Sequence, residues 1–340
     1  MGKINMQQWV SDVINQKERI AIPIMTHPGI ELIGKSVYEA VTDGNVHFEA
    51  IHALDKKYPA AACTVIMDLT VEAEAFGANV AFYPEEIPTV TGRLVSDMGS
   101  VSSLSIPDMT AGRLAQYLLA NKLTATHIHD KPVLGGCIGP FSLAGRLYDM
   151  SEIMMACYCE PDTAKALLSK CSEFLLNYCT ALKEQGINGI VIAEPAAGLL
   201  SADGCSEFSS LYIRPIVEAL QDENFMIVLH NCGNTGHCTG AMLDTGAAAY
   251  HFGNMMDMKA ALDELPPDVL CMGNIDPVGL FKAATPVQMK NAVLDLLNHT
   301  ASNPNFVLSS GCDIPPYTPH ANIEAFYNTL ETYNNSINRH

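Results

Sequence analysis

The segment VLHNCGNTGHC, Val228 to Cys238, ends an apolar run in His230 and Cys232. Both are soft donors suited to a transition metal, and residues two apart on an extended segment point the same way because strand side chains alternate. A third donor of this kind, Cys312, follows FVLSSG near the end of the chain. One imidazole and two thiolates leave a position of a tetrahedral zinc open, the pattern of a catalytic rather than a sealed structural site. Spacing alone does not decide the matter, because a buried histidine and two inert thiols fit an isolated H-x-C equally well. His237 and Cys238 are further candidate donors, but TGHCTGAMLDTGA reads as the helix after the strand, with side chains pointing away from the strand end.

What brings His230, Cys232 and Cys312 together must be the fold. Eight apolar runs bounded by turn residues recur: IAIPIM from Ile20, CTVIMDLT from Cys63, PVLGGCIGPF from Pro132, INGIVIAEP from Ile187, FMIVLHNCG from Phe225, AAAYHFGN from Ala247, DVLCMGNIDP from Asp268 and NFVLSSGCDIPP from Asn305. Helical periodicity fills the intervals. Leu167, Cys171, Phe174, Leu175 and Tyr178 recur three or four apart after Pro161, and Thr285 with Pro286 reads as a cap and first helical residue. Apolar strands alternating with helices imply a parallel sheet covered by helices, and eight such units predict an α/β fold closed as a (β/α)8 TIM barrel, with an open doubly wound sheet as the alternative.

In a barrel the C-terminal strand ends meet at one face. Here those ends carry His27, Asp68, Glu194, His230 with Cys232, His251 with Asn254, Asn274 with Asp276, and Cys312 with Asp313. The stretch 82–128, with YPEEIPTVTGRLVSD, breaks the alternation and is expected to be an excursion over the barrel mouth. No repeat or flexible linker divides the chain, so residues 1–340 are expected to form a single domain.

The totals narrow the function. With 48% hydrophobic and 16% charged residues in 340, the chain has material for a large core and too little charge for disorder. A net charge of -18, from 19 basic against 37 acidic residues, argues against nucleic-acid binding. The arginines are only Arg19, Arg93, Arg113, Arg146, Arg214 and Arg339, scattered along the chain. Eleven cysteines, with no apolar leader in MGKINMQQWV and no membrane-length run, are expected to be thiols of a cytoplasmic protein.

With these motifs assembled, the chain resembles the uroporphyrinogen decarboxylase superfamily, and within it the zinc-dependent branch of methylcobamide:coenzyme M methyltransferases. The likeness runs through GGCIGPFSLAG from Gly135, IAEPAAGLLS from Ile192, VLHNCGN from Val228, GNIDPVGLF from Gly273 and GCDIPPYTPHANIEAF from Gly311. It implies that His230, Cys232 and Cys312 ligate zinc. It also implies a methyl-corrinoid donor, carried on a separate corrinoid protein that docks at the mouth, and a small thiol acceptor such as coenzyme M. The decarboxylases carry arginine in the N-terminal segment corresponding to IPIMTHPGIELIG, which here has none. Some members of the methyltransferase branch carry an acidic pair where this chain has Gly253 and Asn254.

The chemistry implied is nucleophilic. Cysteines on zinc are thiolates, and two of them with a neutral imidazole cancel the ion's charge, so an added substrate thiolate stays electron-rich. Glu194 and Asp276 are the candidate catalytic residues, orienting ligands or contacting metal or corrinoid, although Asp276 in NIDP also reads as turn chemistry. Asn254, His251 and His27 are the candidate cofactor-side residues. His251, Glu194, water or the substrate could complete the metal coordination, and His27 could equally be structural before Pro28. Two other functions remain open from the residues alone: a decarboxylase-like enzyme without metal, and a non-catalytic corrinoid or zinc carrier. A homo-oligomer is possible.

Overall fold

The computed structural model describes residues 4–338. Seven strands, Cys63–Thr64, Val133–Ile138, Gly189–Ala193, Met226–Asn231, Ala249–Phe252, Leu270–Ile275 and Phe306–Ser310, pair in parallel, each with the next. The eighth stave is the chain around Ala21. Ile22 donates to the Leu308 carbonyl at 2.9 Å on one side, while the Ala21 carbonyl accepts from Ala61 at 2.9 Å on the other. All eight apolar runs are therefore staves, and the first seals the ring between the second and the last. The fold is the expected TIM barrel, not an open sheet.

Strand alternation divides the residues into two cores. Ile22, Ile24, Leu134, Val191, Met226, Val228, Ala249, Leu270, Met272 and Val307 point inward and fill the barrel. Their neighbours, among them Ile190, Ile192, Ile227, Leu229, Tyr250, Cys271, Phe306 and Leu308, point outward under the helices. The long helix Pro161–Glu184 packs there through Leu167, Cys171, Phe174, Leu175 and Tyr178, the spacing its sequence shows. Thr285 caps Pro286–His299 in a reciprocal box with Gln288.

The excursion is shorter than the sequence indicates. A two-stranded antiparallel hairpin, Asn79–Ala81 with Thr89–Thr91, and a short helix, Met98–Ser103, leave the barrel, but Leu114–His127 is an ordinary barrel helix. Its buried face is Leu114, Tyr117, Ala120, Asn121 and Thr124. Two of those five are polar, which hides the apolar stripe that would identify a helix in the sequence. The Arg113 guanidinium ties this helix to the second stave, through Asp68 and, at 2.6 Å, Glu74. Among the described residues no helix is long and apolar enough to cross a membrane.

Candidate metal centre

Inward positions recur every second residue, so the barrel interior continues into the mouth along the same alternation. Met226 and Val228 lead to His230, Ala249 to His251, Leu270 and Met272 to Asn274, and Val307 to Ser309. The lower layers are apolar and the top layer is polar. His230 and His251 are direct partners in the parallel register.

At this layer the structure joins the three expected ligands. The donor atoms of His230, Cys232 and Cys312 all lie within 4.8 Å of one another, with the histidine buried and the cysteines half-buried. Cys312 Sγ is 3.6 Å from His230 Nε2 and 3.9 Å from Cys232 Sγ. A tetrahedral zinc, with Zn–S of about 2.3 Å and Zn–N of about 2.0–2.1 Å, sets two sulfurs about 3.8 Å apart and a sulfur and a nitrogen about 3.6 Å apart. Both observed separations match edges of that tetrahedron, so the residues fit zinc. The Cys312 thiol points its proton at the Cys232 sulfur, an interaction that lowers the Cys232 pKa and, with burial, raises that of Cys312.

Two glycines mark where the loops that carry the sulfurs meet a third loop. A Cβ at Gly253 would stand 2.5 Å from the Cys232 carbonyl oxygen, and one at Gly311 would stand 2.6 Å from the Asn254 backbone nitrogen. The loop after Ala249–Phe252 is thus wedged between the two cysteine-bearing loops, touching one through Gly253 and the other through Asn254. Asn274 holds this wedge, donating its side-chain amide to the carbonyls of Gly253 at 2.9 Å and Met256 at 2.7 Å.

His251 is not free to act as a fourth ligand, as the sequence allowed. Its Nδ1 is 2.7 Å from His230 Nδ1 and its Nε2 is 2.8 Å from Ser309 Oγ, which in turn donates to the Ile22 carbonyl at 2.7 Å. Burial, with His230 alongside, holds the His251 pKa well below its ordinary value. Glu194 does not join the trio either. Its carboxylate accepts from the backbone of Phe141 at 2.8 Å and of Ser142 at 2.6 Å, at the N-terminus of Pro140–Tyr148, and burial raises its pKa to about 7. Asp276 accepts from Val278 at 2.9 Å and Gly279 at 2.8 Å, the turn role its NIDP context allowed.

His27 is buried, with Nδ1 2.8 Å from Asp313, the residue after Cys312. Burial works to lower its pKa, but the carboxylate outweighs it and the net shift is upward. The Asn254 side chain is exposed beside Gly311. His237 and Cys238 face the carbonyls of the 195–200 loop and stay outside the trio. Sequence reasoning missed Ser309, Gly311 and Glu72. The last is buried, has a pKa raised by burial to about 7, and accepts from Ile138 at 3.0 Å. Only Ser309 had a usable signal, its inward position two residues after Val307.

Comparison with known proteins agrees with the fold. Over 285 residues, 80% of both chains, the sequence is 30% identical to the methylcobamide:CoM methyltransferase MtbA of Methanosarcina acetivorans. It is 24% identical over 276 residues to a uroporphyrinogen decarboxylase of Legionella pneumophila, covering 79% of this chain and 77% of that one. A solved methyltransferase from Methanosarcina mazei superposes with a TM-score of 0.86 at 21% identity, over 98% of this chain and 99% of that one. The family model described as uroporphyrinogen decarboxylase (URO-D) matches residues 19–333, nearly the whole barrel, and the chain therefore belongs to the uroporphyrinogen decarboxylase family.

Proposed function

We propose that this chain is a zinc-dependent corrinoid methyltransferase that passes a methyl group from a methyl-corrinoid, borne by a partner protein, to a small thiol such as coenzyme M. The observation that carries the reading is the His230, Cys232, Cys312 cluster, with two of its edges at tetrahedral zinc lengths. The resemblance to methylcobamide:CoM methyltransferases supports the substrates. Zinc, when bound, supplies a Lewis acid that keeps an acceptor thiol ionised at neutral pH. In the transfer the acceptor sulfur loses its proton and forms a bond to the methyl carbon, while the cobalt–carbon pair stays on cobalt. The chain's own contribution is placement: it holds the donor set at the rim, where an acceptor and an incoming corrinoid can meet in line.

The mouth is suited to a docking partner. Leu199, Met255, Val278 and Tyr317, each half exposed or more, lie on four of the loops that follow the strands. A cleft of about 290 Å³ opens at the ends of the second, third and fourth staves, lined by Leu69, Val90, Ile138, Ser142, Arg146 and Ala196, with Val90 contributed by the hairpin. A decarboxylase role is not favoured, because the segment 22–34 lacks arginine and Arg113 is committed to Asp68 and Glu74. We place the protein in the cytoplasm, where eleven unpaired cysteines persist as thiols.

The test is metal analysis of protein purified without added zinc, together with thiol-dependent demethylation of methylcobalamin followed by its visible spectrum. The expected result is near-stoichiometric zinc and turnover with at least one thiol, both abolished by Cys312→Ser. Metal-free wild-type protein overturns the reading, while corrinoid binding without turnover supports a carrier instead.

A further inference from the structure

The hydrogen bonds behind His230 have a direction that the structure determines from one end. The Ile22 carbonyl can only accept, so the Ser309 hydroxyl, 2.7 Å away, must spend its single proton there. Ser309 Oγ is then left as acceptor for the His251 ring nitrogen Nε2 at 2.8 Å, which must carry a hydrogen. A neutral imidazole has one N–H, so His251 Nδ1 is a lone pair, and it faces His230 Nδ1 at 2.7 Å. His230 Nδ1 must therefore be the protonated nitrogen of its own ring. The remaining lone pair, on Nε2, is the one 3.6 Å from Cys312 Sγ. The rings of the two histidines meet edge to face, with centroids 4.7 Å apart, and His230, His251 and Ser309 are all buried.

We propose that His251 and Ser309 form a positioning relay, anchored on the Ile22 carbonyl, that selects the His230 tautomer able to ligate a metal. The proposal rests on the reading of the trio as a zinc site. Metal-ligating histidines usually donate their second nitrogen to a carboxylate, a carbonyl or water, which fixes ring orientation and raises ligand basicity. Here a neutral imidazole takes that place. The consequence is electrostatic: a carboxylate would add a negative charge to a centre whose two thiolates already balance a divalent ion, whereas the imidazole orients without adding charge. The relay also reaches across the barrel, since Ile22 lies on the first stave, His230 on the fifth, His251 on the sixth and Ser309 on the eighth. The tautomer of His230 is thus set by closure of the ring.

The experiment has two readouts. The first is long-range nitrogen–proton NMR of histidine-labelled protein stripped of metal, with the His230 signals assigned by their loss in His230→Gln. The second is zinc affinity by competition with a chromophoric chelator. In the wild type, His230 is expected to carry its proton on Nδ1 before any zinc is added. His251→Leu removes the acceptor and is expected to release that tautomer and weaken zinc about 10–100-fold, the range for losing such a supporting partner. Ser309→Ala is expected to do the same more mildly, and His251→Asn, which keeps an acceptor oxygen near the position of Nδ1, to recover most of the affinity. A wild-type His230 protonated on Nε2, or zinc affinity unchanged in both His251→Leu and Ser309→Ala, overturns the relay. If wild-type protein shows the Nδ1–H tautomer yet binds no zinc, the metal reading falls and the relay stands.

Discussion

At the scale of single residues, two buried acids carry most of their charge cost unpaired by any basic side chain among the described residues. Glu72 and Glu194 bracket the turn from Val133–Ile138 into Pro140–Tyr148, and burial holds both pKa values near 7. An unfolded glutamate titrates near 4.3. The folded state therefore binds more protons between about pH 4 and pH 7, and stability is greatest below that window and lost as pH rises through it. Glu72→Gln, which keeps the oxygen that accepts from Ile138, is expected to remove this contribution, so that its urea midpoint falls less, or rises more, than that of the wild type between pH 5 and pH 8. A slope identical in variant and wild type would show that Glu72 is ionised throughout. Asp68 has the opposite sign. Burial raises its pKa, but Arg113 outweighs burial and holds it low, so its stabilisation is present at neutral pH and lost only in acid. Asp68→Asn leaves Arg113 with Glu74 as its one remaining carboxylate and is expected to lower the urea midpoint at neutral pH, by less than the roughly 3–5 kcal/mol of a fully orphaned buried charge.

Among the elements, the loop 253–256 lies between the two cysteine-bearing loops. Gly253 and Gly311 are the points where three backbones approach too closely for a side chain. Gly253→Ala must push the Cys232 backbone outward, and a displacement of about an ångström is enough to spoil a tetrahedral donor set. The expected result is native-like circular dichroism with zinc affinity reduced at least tenfold, and unchanged affinity would mean that the wedge does not set the separation. The staves were legible in the sequence because each is a short apolar run with turn residues at both ends, and the meeting of His230, Cys232 and Cys312 because they stand at two of those ends. The wedge was not legible. Its glycines matter only through contacts between remote loops, and neither periodicity nor ligand spacing carries that information. The helix Leu114–His127 was lost for a related reason, since Asn121 and Thr124 satisfy themselves by donating to backbone carbonyls four residues back and so can be buried as polar residues.

For the whole molecule, closure and metal binding are separable constraints. Arg19 clasps the ring at the first stave: its backbone pairs with the Asn334 side chain of the last helix, and its guanidinium donates to the carbonyls of Asn303 at 2.7 Å and Ala301 at 2.8 Å. The trio instead links the fifth stave to the eighth, through donors 80 positions apart in sequence. The strand pairing that closes the barrel does not run through the trio, so an ion held there is expected to stabilise the fold by binding the native state and not the unfolded chain. That contribution is RT ln(1 + [Zn]/Kd), about 4 kcal/mol at a thousandfold excess over Kd. For a chain of this size each kcal/mol moves the melting temperature by roughly 2–4 °C. A strong chelator is therefore expected to lower the melting temperature of wild-type protein by roughly 10 °C without unfolding it at room temperature, and to leave Cys312→Ser unmoved. Arg19→Ala is expected to lower the melting temperature by a similar decrement with and without chelator, because the clasp and the mouth share no partners and distant effects add. A wild-type protein that melts at the same temperature before and after chelation would break the link between the His230, Cys232 and Cys312 cluster and a bound ion, whatever its activity.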